Sequence, residues 1–102
     1  MALINIETAQ RRALQMLKKQ PVGAGLELLT YKRNRGVTII KEDHGLYWVR
    51  ERGYLEDEWT VTESELPKLL KGILRRECPR SRKVRLYSVN SRDEVGIKRK
   101  RL

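Results

Sequence analysis

The spacing of apolar residues changes twice along the chain, and those two changes limit what it can fold into. From Asn5 to Gln20, in "NIETAQRRALQMLKKQ", apolar residues recur every three or four positions. Ile6, Ala9, Ala13 and Leu17, with Leu14 and Met16 beside them, form one stripe of a helix. Asn5 suits its start, Glu7 the positive end of its dipole, and Lys18 and Lys19 the negative end. Pro21, Gly23 and Gly25 then stop it. The two glycines echo a phosphate-binding loop, but no strand precedes them and no helix follows, so they read as a linker.

From Leu26 the period falls to two. "LELLTYK", "GVTIIKED", "GLYWVRER" and "EWTVT" are rich in β-branched and aromatic residues, with turn signals at "RNRG" and "DHG". Leu46 and Trp48 lie on one face of the third strand; Tyr47, Val49 and Glu51 lie on the other. Sharing a face with Leu46 places Trp48 in the core and leaves Tyr47 and Tyr54 for the surface.

The helical period returns in "VTESELPKLLKGILRRE", where Leu66, Leu69, Leu70, Ile73 and Leu74 make an apolar face. Thr62 with Glu65 fits a capping box, and Ser64 is the alternative cap, one that puts Pro67 in the first turn. Cys78 and Pro79 end the helix. "RKVRLYSV" follows as a strand with Val84 and Leu86 inward and Lys83, Arg85 and Tyr87 outward.

These elements predict an α+β fold: an N-terminal helix, a four-stranded antiparallel meander, a second helix and a closing strand, with both helices on one face of the sheet. Residues 1–90 form one domain and residues 91–102, ending in "KRKRL", a basic and disordered tail. Phe is absent, so Leu, Ile and Val fill most of the core, helped by Trp48, Trp59 and the four tyrosines. The lone cysteine excludes an internal disulfide, and no Cys/His cluster fits a structural zinc. With no apolar run long enough for a membrane span and no signal-peptide pattern, a cytoplasmic location is expected, with no membrane partner.

The formal net charge is +10. Residues 1–67 carry ten Lys/Arg and ten Asp/Glu, whereas residues 68–102 carry thirteen Lys/Arg against Glu77, Asp93 and Glu94. A neutral body with a basic end points to an anionic partner. The expected nucleic-acid site comprises Lys68, Lys71, Arg75, Arg80, Arg82, Lys83 and Arg85 on phosphates, with Tyr87 stacking on a base. If the closing strand lies beside the second helix, these side chains merge into one patch. Without a helix-turn-helix, zinc-finger or basic-zipper pattern, single-stranded nucleic acid or RNA fits better than duplex readout. The same residues also suit an ordinary solvated helix face and a charged edge strand.

Other functions have less behind them. A protein-interaction adaptor, including a homodimer, would use an uncovered sheet face. A metal-independent ribonuclease would use Arg and Lys on the phosphorane, an analogy of size and charge alone. His44 beside Glu42 and Asp43 fits a general base less well than an exposed turn residue. Glu56, Asp57 and Glu58 fit a solvated loop better than a Mg²⁺ site, and Cys78 has no base to activate it. No catalytic residue, metal or cofactor is expected.

Overall fold

In the computed structural model, residues 2–30, 35–53, 56–77 and 83–90 are described. Two helices and six strands follow one another as β1 (Ala2–Asn5), α1 (Ile6–Lys19), β2 (Gly25–Leu29), β3 (Gly36–Lys41), β4 (Leu46–Arg52), β5 (Asp57–Thr62), α2 (Leu66–Glu77) and β6 (Lys83–Val89). The strands form one antiparallel sheet in the order β1-β6-β2-β3-β4-β5.

The meander is β2 to β5, but the sheet has six strands rather than five. A strand precedes the first helix: Ala2–Asn5 pairs with β6 through Leu3 opposite Arg85 and Ile4 opposite Val84. Asn5 ends that strand and also caps α1, its Oδ1 accepting the Glu7 N–H at 2.9 Å. β6 is therefore not at an edge. It lies between β1 and β2, so its charges cannot serve as edge protection.

Both helices pack on one face. Ala9, Ala13 and Leu17 of α1 and Leu66, Leu70, Ile73 and Leu74 of α2 share a cluster with Leu26, Leu28, Val37, Ile39, Tyr47, Val49, Val84 and Leu86. Small residues on α1 let that helix lie close to the strands. In β4 the residues toward the helices are Tyr47, Val49 and Glu51. Tyr47 is thus buried, contrary to the exposure expected for it. Trp48 is buried on the other face, in a small cluster with Ile40 and Val89. Tyr54 and residues 31–34, including most of the "RNRG" expected to turn, lie outside the described residues.

α2 begins at Leu66, which places Pro67 in the first turn, where it costs no helical hydrogen bond. The Thr62 and Glu65 contacts form across the turn before the helix: the Thr62 N–H and hydroxyl both reach Glu65 Oε1, at 2.9 and 3.1 Å. Those bonds hold the Glu65 carboxyl below the usual carboxylate range. The far end of α2 is tied to the sheet by a bidentate pair. Arg76 donates through Nε and through a terminal guanidinium nitrogen to the two oxygens of fully buried Glu51, at 2.8 and 2.6 Å.

Candidate nucleic-acid interface

The alternation of β6 settles where its charges go. Val84 and Leu86 face the helices, so Lys83, Arg85 and Tyr87 occupy the opposite face of the sheet. Lys68, Lys71 and Arg75 are exposed on α2, on the helical side. The sheet separates the two sets and they form no single patch. Arg80 and Arg82 lie outside the described residues, as do Cys78 and the tail 91–102.

On the side away from the helices, one row crosses the sheet as Tyr87, Glu27, Thr38, Arg50 and Glu58, and the next as Leu3, Arg85, Leu29, Gly36 and Arg52. Glu27 is buried at the centre. The Thr38 hydroxyl donates to its Oε2 at 3.2 Å, and the Arg52 guanidinium stands 3.7 Å from the same oxygen. Tyr87 is its direct cross-strand partner, with Arg85 on the diagonal. Tyr87 and Arg85 are half-buried beside a carboxylate, a setting that dilutes positive potential. Leu29, Ile40, Thr38 and Trp48 are buried on this face too, so its centre is no open platform for stacked bases.

The helical layer differs. Arg11, Arg12, Lys18 and Lys19 are exposed on α1, and Lys68, Lys71 and Arg75 on α2. The helices touch, and Gln10 Nε2 of α1 donates to the Pro67 carbonyl of α2 at 2.8 Å. Among the described residues, the acidic side chain exposed on these two helices is Glu7. The sequence hides this concentration. The α1 cations belong to the segment whose charges sum to zero, but most of the acids that cancel them lie in or beside the sheet strands. Glu27 and Glu51 are buried in the sheet, Glu42 and Asp43 lie at the β3–β4 turn, Glu56, Asp57 and Glu58 lie at the start of β5, and Glu63 and Glu65 are exposed in the turn that leads into α2. Arg76, by contrast, belongs to the basic run in sequence and to the Glu51 ion pair in structure.

Among the described residues, those weighed for catalysis do not assemble into a centre. His44 is exposed in a short 3-10 turn with φ 63°, a left-handed conformation beside Gly45. Among the described residues, no group of three or more His, Cys, Asp or Glu side chains is placed to hold a metal ion. Asp57 and Glu58 alternate across β5 and diverge. Burial, and secondarily the charge of Glu63, pushes the Tyr47 phenol above its ordinary value; with its side chain on the helix-packed face, it is no exposed acid. Among the described residues, no helix is long and apolar enough to cross a membrane. No protein-family model, curated protein or solved structure matches the chain.

Proposed function

We propose that the protein is a non-catalytic nucleic-acid-binding module that meets phosphates through the outer surface of its two helices. The observation that carries this reading is the segregation of charge: among the described side chains, seven exposed cations on α1 and α2 stand against Glu7 on α1 and Glu63 and Glu65 in the turn before α2. Such a surface attracts a polyanion by releasing its counterions, and affinity then falls with salt. Lys68, Lys71 and Arg75 keep the role the sequence suggests, and Arg11, Arg12, Lys18 and Lys19 join them. Lys83, Arg85 and Tyr87 lie across the sheet and could touch the same strand only if it wrapped around the domain. Neither helix carries an aromatic residue to stack on a base, so the grip is electrostatic and tolerant of sequence.

The test is fluorescence anisotropy with labelled single-stranded RNA, single-stranded DNA and duplex DNA, titrated with salt. If four of the cations meet phosphates, log K falls with log salt at a slope of about −2.8 on a single strand. Reversing Lys68, Lys71 and Arg75 to Glu should weaken every probe together and flatten that slope; reversing Lys83 and Arg85 should change little. Absence of binding at low salt would end the proposal, and the opposite ranking of the two variants would move the site to the β6 face.

A further inference from the structure

β5 is an outer strand of the sheet, and among the described residues no strand lies beyond it. Its residues, "DEWTVT", pair with β4 without a bulge and include neither the lysine nor the proline that commonly protects an exposed edge. Trp59 and Val61 lie on the helical side, opposite Val49 and Tyr47, yet they are only partly buried where they pack against the core. Glu58, Thr60 and Thr62 are exposed on the other face. Side-chain bonds show which main-chain groups point outward. The Glu58 N–H donates to Asp57 Oδ1 at 2.9 Å, and the Thr62 N–H to Glu65 Oε1 at 2.9 Å. The Thr62 carbonyl accepts from the Glu65 N–H. Groups bonded in this way are not spent on β4, and directions alternate along a strand, so Glu58, Thr60 and Thr62 turn their main-chain groups to the edge. Carboxylates hold the two flanking N–H groups, with Thr60 between them.

We infer that a second copy of the chain docks on this edge, β5 antiparallel to β5, about a two-fold axis through Thr60. In that register Thr60 meets Thr60 of the copy, and the two exchange main-chain hydrogen bonds. Trp59 comes opposite Val61 of the copy and Val61 opposite its Trp59, so the half-buried pair completes its burial. Thr–Thr and aromatic–β-branched pairs are among the favourable cross-strand combinations, and a two-fold contact closes at two chains. Glu58 comes opposite Thr62 of the copy, and their main-chain bonds form only when Asp57 and Glu65 release the flanking N–H groups. At each end Asp57 also stands level with Glu63 of the copy. The two carboxylates are latches that keep so small an interface weak and concentration-dependent. With the axis perpendicular to the sheet, both helical layers face the same way. A doubled polyanion surface rests on the proposed nucleic-acid role; the dimer itself does not.

The experiment is sedimentation equilibrium of the full chain, without nucleic acid, from about 10 μM to about 1 mM, a span that reads weak association. The unmodified chain should pass from monomer toward dimer and no further. Thr60→Lys and Thr60→Glu, at an exposed position, should each weaken the dimer severalfold by setting like charges across the axis. An equimolar mixture of the two should restore it, because the charges across the axis are then opposite. Overall repulsion predicts otherwise, since Thr60→Glu lowers the net positive charge and would tighten association. Glu65→Ala frees the Thr62 N–H and should tighten the dimer severalfold. Glu63→Ala removes the same charge from the same turn without freeing that group and should do less. A chain that stays monomeric throughout, assembly beyond two chains, a dimer indifferent to both Thr60 variants, a mixture no tighter than either variant alone, or Glu65→Ala no tighter than Glu63→Ala would overturn the assignment.

Discussion

Replacing Arg76 with Met should destabilise the protein more than any other single loss of charge on its surface. Arg76 gives two hydrogen bonds, at 2.8 and 2.6 Å, to a carboxylate with 0% exposure, while its own side chain is one-third exposed. Removing it leaves Glu51 charged and buried with its bidentate partner gone. Breaking a pair of this kind costs about 3–5 kcal/mol, because the remaining ion keeps its desolvation penalty and loses the interaction that offset it. The partial exposure of Arg76 places the expectation at the lower end, about 3 kcal/mol. That is a large share of the roughly 5–15 kcal/mol by which a domain this size is stable. Urea denaturation of Arg76→Met should show the midpoint falling with an unchanged slope. The double variant Glu51→Leu/Arg76→Met removes both charges and should recover most of the loss, since an apolar pair of similar volume is often no worse than a buried ion pair. A loss under about 1 kcal/mol in the single variant, or a double variant no better than the single, would refute the reasoning that Glu51 depends on Arg76.

Two further outcomes follow from glycine placement and from a displaced carboxyl. Gly25→Ala should cost about 1–3 kcal/mol, because a Cβ there would collide with the Ile39 carbonyl and stand 2.8 Å from Ile40 Cα; Gly72→Ala, where a Cβ meets nothing within 4 Å on an exposed helix turn, should instead raise stability by about 0.5–1 kcal/mol. Thermal melts of the two should move in opposite directions. Glu65 has a lowered carboxyl pKa in the folded state, so the native form binds fewer protons and the associated stability, present above the ordinary carboxylate range, is lost as pH falls through the folded value. Glu65→Gln should flatten that part of the stability–pH curve while leaving the protein folded at neutral pH.

Both helices and the four meander strands were legible because each shows its own hydrophobic period. β1 was not. "ALIN" is four residues long, its apolar pair also suits the approach to a helix, and it exists as a strand only because β6 returns beside it, Leu3 pairing with Arg85 and Asn5 with Lys83. Sheet order was hidden for the same reason, since pairing β6 between β1 and β2 is a non-local choice that spacing does not encode. The alternation of Lys83, Arg85 and Tyr87 against Val84 and Leu86 was readable, but it could not say on which side α2 would lie. Glu51 offered a clue: a carboxylate in phase with Tyr47 and Val49 signals a buried charge needing a partner. The partner, Arg76, was masked by the basic run around it. The α1 cations were missed through summation along the chain, because acids that cancel in sequence need not be neighbours in space.

The most direct test of the polyanion surface uses α1, the part the sequence did not suggest. Arg11→Glu/Lys18→Glu should be compared with the unmodified chain by anisotropy on labelled single-stranded RNA across a salt series. Binding through the helical layer predicts at least tenfold weaker affinity at low salt and a slope shallower by about 0.7 for each phosphate that is no longer neutralised. Unchanged affinity and slope in that variant, with binding abolished by Lys83→Glu/Arg85→Glu, would contradict it and place the site on the opposite face of the sheet.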